Sequence, residues 1–268
     1  MLRLAKILGT AALAGTLVAC SAIVSFDNAK LFEGDTAQTI RGLLAKPSGD
    51  GPFPAVVLLH GCGGLRSRSN VIEDWTNFLT SLGYVTLWVD SLGPRGLNTC
   101  VNIAGDWREL SRDAYGALDY LASLPFVNKE RIGVMGFSMG GLTIGYFSGQ
   151  GFKTSSGVDF KAAVGVYTGC GYLRKYSKII PTAVIIGELE DEKHLLPCKT
   201  LAGQSPPFPS VKVHVLPNTH HGFDQRELTT LRPDPFGNLM LYSWEATKKA
   251  REITEAFLAE RLGQWRVP

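Results

Sequence analysis

Three features of the sequence predict an α/β chain, with a mostly parallel sheet carrying helices on both faces. Short, uniformly apolar runs such as "AVVLL", Ala55 to Leu59, read as strands covered on both sides. Longer stretches with apolar residues three and four apart separate these runs. Glycine, proline and aspartate gather where one kind of run gives way to the other. Such alternation folds as one layered domain, and no Pro/Gly-rich linker divides the 268 residues into halves.

The first residues stand apart from this pattern. Arg3 and Lys6 precede "ILGTAALAGTLV", an apolar stretch short for a bilayer, and small residues close it at "LVAC". A basic start, a short apolar run and a small-residue end describe a secretory signal over residues 1–19. The ending resembles a bacterial lipobox, in which Cys20 is lipidated and becomes the mature N-terminus. A plain signal peptide or an N-terminal anchor helix is the alternative. Residues 20–38 then read as a lipid-anchored tether or irregular N-terminal segment, and 39–268 as the folded domain.

Within that domain, "TIRGLLAK" is a strand, "SGDG" a turn and "AVVLLHG" the next strand. "VIEDWTNFLTSLG" is a helix closed by Gly83, and "YVTLWVD" a buried strand. "SRDAYGALDYLASL" puts Ala114, Ala117, Leu118 and Leu121 on one stripe, with Ser111 as its N-cap and Pro125 as its stop. "RIGVMG" is a strand entering a glycine-rich turn, after which "GGLTIGYFS" is helical. Strands follow at "AAVGVY", "TAVIIG" and "VKVHVL". The last helix, Ser243 to Leu262, carries Ala246, Ala250, Ile253 and Phe257 on one face. Trp75, Phe78 and Trp244 read as core.

Composition excludes some partners. Removing residues 1–19 takes two of the 27 basic residues and none of the 24 acidic ones, leaving a formal charge of +1. Nucleic-acid binding needs a concentrated basic excess, so no such partner is expected. Membrane attachment would come from acyl chains rather than from charge. No C-x-x-C or close Cys/His cluster appears, which argues against a zinc site, and no metal is expected.

The chemistry concentrates at the strand ends. In "GVMGFSMGG" Ser138 lies between a strand and a helix, where glycines permit the sharp turn of a nucleophile elbow. Serine needs a base to take its proton. "PNTHHGFD" after the last strand supplies His220 and His221, and Gly222 beside it favours His221. The base needs an acid to fix its tautomer, and "VIIGELED" ends the preceding strand with Glu188, Glu190 and Asp191. The order serine, acid, histidine is that of α/β-hydrolases. "LLHGCGG" follows an early strand with glycines that uncover backbone amides, so the oxyanion hole is assigned to the N–H groups of Cys62 and Met139. Asp90, a rival acid by position, reads instead as the organiser of the "DSLGPRG" loop. Arg66 and Arg68 line the entrance or are simply solvated.

"LLHGCGGL", "VDSLGPRGLNTC", "RIGVMGFSMGG", "IIGELEDEKHLLPC" and "HHGFD" together resemble the dienelactone hydrolase family over about residues 39–262. The resemblance implies a compact α/β-hydrolase with little or no cap and no metal or organic cofactor. Family members acting on dienelactone carry cysteine where this chain has Ser138. The family acid is normally Asp in the slot that Glu190 fills here. Register with the family thus favours Glu190, and residue type favours Asp191.

The expected activity is that of a serine hydrolase acting on a small-molecule ester, lactone or thioester. A peptidase is the alternative among enzymes, and a catalytically silent envelope lipoprotein that binds a ligand is the alternative among non-enzymes. An exported chain, held in the bacterial envelope and facing the periplasm, keeps disulfides. Four cysteines remain beyond Cys20, and the positions of their loops predict Cys62–Cys100 and Cys170–Cys198.

Overall fold

The computed structural model describes residues 21–66, 70–103, 106–175, 180–203 and 210–264. The signal segment 1–19 and Cys20 lie outside the described residues, as does Arg68.

An eight-stranded sheet forms the middle layer. Its strands are β1 Ser21–Asp27, β2 Thr39–Ala45, β3 Phe53–Leu59, β4 Val85–Asp90, β5 Val127–Phe137, β6 Ala163–Val166, β7 Thr182–Gly187 and β8 Val211–Leu216. They lie in the order β1-β2-β4-β3-β5-β6-β7-β8. The pairs β1–β2 and β2–β4 are antiparallel; all later neighbours are parallel. Across the first five strands, Ser21 stands opposite Ala45, Ala45 opposite Thr86, Thr86 opposite Val56, and Val56 opposite Gly133.

Every residue of β3 and β7 is buried, as their uninterrupted apolar runs require. The two-residue side-chain period sorts them between layers. Val57 and Leu59 join Ala114, Leu118, Ile144 and Phe147 of α2 Trp107–Ser123 and α3 Met139–Phe147. Val56 and Leu58 join Trp75, Leu79, Ala250 and Leu258 of α1 Val71–Ser81 and α5 Trp244–Leu262. A fifth helix, α4 Glu192–Ala202, covers Val184 and Ile186 through Leu195, Cys198 and Leu201.

Several expectations need correcting. Residues 21–27 form an edge strand, and the segment after them is no loose tether. Asn28 is buried, Gln38 N donates to its Oδ1 at 2.8 Å, and Arg112 Nε of α2 donates to the Ala29 carbonyl at 2.9 Å. The α2 helix begins one turn before Ser111. Asp106 is its cap, accepting from Glu109 N at 3.2 Å, while Ser111 Oγ donates inside the helix to the Trp107 carbonyl. The α4 helix was not anticipated, because Pro197 sits within it. Trp75 is fully buried, but Trp244, the first residue of α5, is 53% exposed. Ser243 caps that helix by accepting from Ala246 N.

The structure joins Cys62 to Cys100 and Cys170 to Cys198, with Cα separations of 4.6 and 4.9 Å. These are the two pairs expected from the loops. Each closes a link between neighbouring strand ends on the carboxyl edge of the sheet.

Candidate active site

Parallel strands bring their carboxyl ends to one edge, where open α/β sheets hold their ligands. At that edge β5 stops at Phe137 and α3 starts at Met139, leaving Ser138 alone at the corner with φ 51° and ψ −110°. A positive φ is rare outside glycine and persists only where the surroundings enforce it. Close backbone packing provides the enforcement. A Cβ on Gly136 would fall 2.4 Å from the Gly140 carbonyl, and one on Gly140 would fall 2.3 Å from the Leu59 carbonyl. Ser138 N donates to the Val166 carbonyl at 3.0 Å, which ties the corner to β6.

His221 comes from the loop after β8. Its backbone N–H donates to the Leu239 carbonyl at 3.1 Å, and its carbonyl accepts from Leu241 N at 3.3 Å. The ring then reaches in two directions. Nε2 lies 2.9 Å from Ser138 Oγ, and Nδ1 lies 3.0 Å from both Glu190 oxygens. The His221 and Glu190 side chains are 6% and 1% exposed. A hydroxyl, an imidazole and a carboxylate in this line can pass the serine proton to Nε2 while the carboxylate receives Nδ1–H.

The other acidic candidates turn elsewhere. Asp191 caps α4, accepting from Lys193 N at 2.9 Å and pairing with Lys193 Nζ, so it does not meet His221. Helix α4 starts there, and the backbone change sends consecutive side chains in opposite directions. Asp90 Oδ1 accepts from Gly93 N at 2.8 Å and from Leu92 N, organising its loop as expected. Arg95 serves Asp113 and the Ser91 carbonyl instead of Asp90.

The "HGCGG" turn faces Ser138 from β3. Burial pushes the His60 pKa down, so the ring is neutral at physiological pH. Its Nε2 accepts from Ser91 N, leaving the Nδ1 proton for the Gly61 carbonyl at 2.7 Å. Cys62 is fixed twice, by its disulfide and by Cys100 N donating to its carbonyl at 3.0 Å. Cys62 and Met139 both line the space beside Ser138. Met139 is the first residue of α3, so its N–H has no partner within the helix.

Cavities of about 210 and 390 Å³ share Cys62, Ser138, Tyr167 and His221 as walls. The smaller is closed by Val71, Ile72, Trp88 and Met240. The larger is closed by Trp107, Leu142 and Phe236, with Lys193 and His194 adding polarity. Asp234 and Phe236 belong to a hairpin between β9 Arg232–Pro233 and β10 Leu239–Met240, which walls both spaces. Among the described residues no group of three His, Cys, Asp or Glu is placed to hold a metal, and no helix is long and apolar enough to cross a membrane.

Two residues at the site escaped sequence reasoning. Tyr167 follows β6 with φ 38°, and its ring lies 4.9 Å from that of His221, centroid to centroid. Asp224 is buried behind it. Their signal was position: Tyr167 ends the "AAVGVY" strand at the same edge as the others, and Asp224 closes "HHGFD".

Known proteins resemble this chain in parts and in fold. The chain is 30% identical over 122 residues to the esterase FrsA of Klebsiella pneumoniae, spanning 42% of this chain and 27% of that one. The curated relatives are thus matched over well under half of their length. The crystal structure of dienelactone hydrolase from Anabaena variabilis superposes with a TM-score of 0.62 at 18% identity, covering 91% of this chain and 99% of that one. Dipeptidyl peptidase 4 of Porphyromonas gingivalis shares the fold with a TM-score of 0.60 at 17% identity, covering 91% of this chain but 36% of that one. The family match itself covers residues 40–262, from β2 to the end of α5. The chain therefore belongs to the dienelactone hydrolase family.

Proposed function

We propose that the protein is a serine hydrolase that cleaves a carboxylic ester, lactone or thioester through an acyl-enzyme. The observation that carries this reading is the imidazole of His221, set between Ser138 Oγ at 2.9 Å and Glu190 at 3.0 Å. His221 takes the serine proton as Oγ bonds to the substrate carbonyl carbon. The resulting oxyanion accepts hydrogen bonds from the Cys62 and Met139 N–H groups. Collapse breaks the bond to the leaving group, which takes the proton from His221. Water then gives a proton to His221 and attacks the acyl-serine, releasing the acid and restoring Ser138. Glu190 holds the imidazole in the tautomer that this cycle needs.

Cavities on either side of Ser138 suit a substrate with a group on each side of its carbonyl. Dienelactone itself is not the proposed substrate, because the relatives that open it use cysteine at the Ser138 position. The family match over residues 40–262 supports the ester reading over the peptidase reading. A silent binding protein would have no need of a nucleophile, base and acid in hydrogen-bonding line.

A panel of nitrophenyl esters and lactones, run on wild type and Ser138→Ala, tests this. Ser138→Ala is expected to lower turnover by roughly 10³ to 10⁶ with the fold intact. A fluorophosphonate probe should label wild type at Ser138. A variant keeping more than about a tenth of wild-type activity would remove Ser138 from the mechanism.

We also infer that the protein is exported and lipid-anchored at Cys20. The lipobox-like segment and the two disulfides support this reading. Mass spectrometry of the mature N-terminus, with Cys20→Ser as the control, tests it.

A further inference from the structure

Behind the imidazole of His221 lies a second buried carboxyl to which the hydrolase cycle gives no task. Asp224 is 2% exposed. Its Oδ2 accepts from Trp75 Nε1 at 2.8 Å, while Oδ1 has no partner at hydrogen-bonding distance. The Tyr167 hydroxyl faces this carboxyl together with Gln225. The Tyr167 ring in turn packs against His221 at 4.9 Å, inclined at 61°, within range of a cation beside a π system.

The surroundings keep this arrangement in place. Tyr167 holds its positive φ because its N–H donates to the Ile185 carbonyl at 2.7 Å and its ring is wedged between Phe137 and Phe223. Asn70, just before α1, donates to the Asp224 carbonyl at 3.1 Å, which fixes the loop from the far side. Burying a carboxyl without a full set of hydrogen bonds is costly unless a charge nearby uses it.

We propose that Asp224 and Tyr167 are positioning residues for His221, holding the imidazole from its ring side and stabilising its protonated form, while Glu190 serves Nδ1. This rests on the reading of His221 as the proton carrier. No proton passes to Asp224: the imidazole gains one from Ser138 or water and returns it to the leaving group or to Ser138. Burial pushes the Asp224 pKa up to about 6, countered by the Trp75 and Tyr167 hydrogen bonds and by His221, so the carboxyl is mostly charged at neutral pH. Other charges around the group are already engaged. On α1 Asp74 pairs with Arg226, and Arg251 of α5 lies over the Trp75 ring. His194 of α4 is a further neighbour of His221, with its pKa lowered by burial.

The test is a titration of the His221 imidazole by nitrogen NMR, which requires no turnover and separates His221 from His194. In Asp224→Asn and Tyr167→Leu the midpoint is expected to fall by about half a pH unit, roughly threefold in the protonation equilibrium. Tyr167→Phe, which keeps the ring, should fall less, and Asp224→Glu should restore part of the shift. With an ester substrate, kcat in Asp224→Asn should drop about tenfold with KM little changed. If Tyr167→Leu does not fold, Asp224→Asn and Tyr167→Phe carry the comparison. Unmoved midpoints in the folded variants, with only thermal stability lowered, would reduce both residues to scaffold and overturn the proposal. Shifted midpoints in a protein whose Ser138→Ala variant stays active would support it while refuting the serine mechanism.

Discussion

Glu190 presents both carboxylate oxygens to His221 Nδ1 at 3.0 Å, from a side chain that is 1% exposed. Its neighbour Asp191 is turned to solvent and to Lys193. The two substitutions should therefore differ sharply. Glu190→Gln is expected to cost on the order of 10³ to 10⁴ in turnover through loss of the correct tautomer. Asp191→Asn should stay within about threefold, because asparagine also caps a helix. Steady-state kinetics on both variants decide it, and equal, mild losses would deny either residue the role.

The corner at Ser138 depends on a missing side chain. Gly140→Ala would push a Cβ against the Leu59 carbonyl, a backbone atom of β3 that cannot rotate away. The expected cost is about 3 kcal/mol of stability, together with reduced turnover as Ser138 moves relative to the "HGCGG" turn. Denaturant unfolding measures the first and ester hydrolysis the second. An alanine variant of wild-type stability would mean that the corner relaxes freely.

The disulfides should separate by function. Replacing either pair by serine is expected to cost about 3–4 kcal/mol, given loops closed over 38 and 28 residues. Only the Cys62–Cys100 pair holds the amide assigned to the oxyanion, so its loss should also lower kcat about tenfold or more. Peptide mapping without reduction should recover both linked pairs. Equal kcat in the two double variants would count against Cys62 N–H as an oxyanion donor.

Asp224 gives stability a pH dependence of its own. Its pKa is raised to about 6 in the folded protein, above the ordinary 3.8, so between those values the folded chain binds a proton that the unfolded chain has lost. Stability from this group is greatest below pH 3.8 and falls as pH rises through 6. Asp224→Asn lacks this loss, so relative to wild type it should gain on the order of 2–3 kcal/mol between about pH 4 and 7. Unfolding curves for both proteins at the two pH values test it. A constant difference would show that the carboxyl titrates normally.

The strands at the carboxyl edge were legible because β3, β5 from Ile132 onward and β7 from Ala183 onward carry no polar side chain, and glycines punctuate their ends. Ser138 and His221 could be named from their places after β5 and β8. Choosing Glu190 over Asp191 was a matter of backbone direction at the start of α4, and that helix was concealed by Pro197. Strand β1 was missed because only Phe26 of its seven residues is buried, which leaves no two-residue pattern to see. Tyr167 and Asp224 meet through tertiary packing between β6 and the loop after β8, a relation with no local signature.

The pairing of the first five strands also sets which way an attached protein would face. Ser21 shares a level with Gly133, through Ala45, Thr86 and Val56. Ser138 lies five residues further along the same direction, about 16 Å at the rise of a strand. Ser21 thus lies on the amino-terminal side of Ser138 along the parallel strands, and the cavities lie at their carboxyl ends. A bead, a fusion partner or a surface holding the protein by residues ahead of Ser21 would leave the mouth at Ser138 directed outward. The enzyme would then meet substrates arriving from free solution rather than those embedded in whatever holds it.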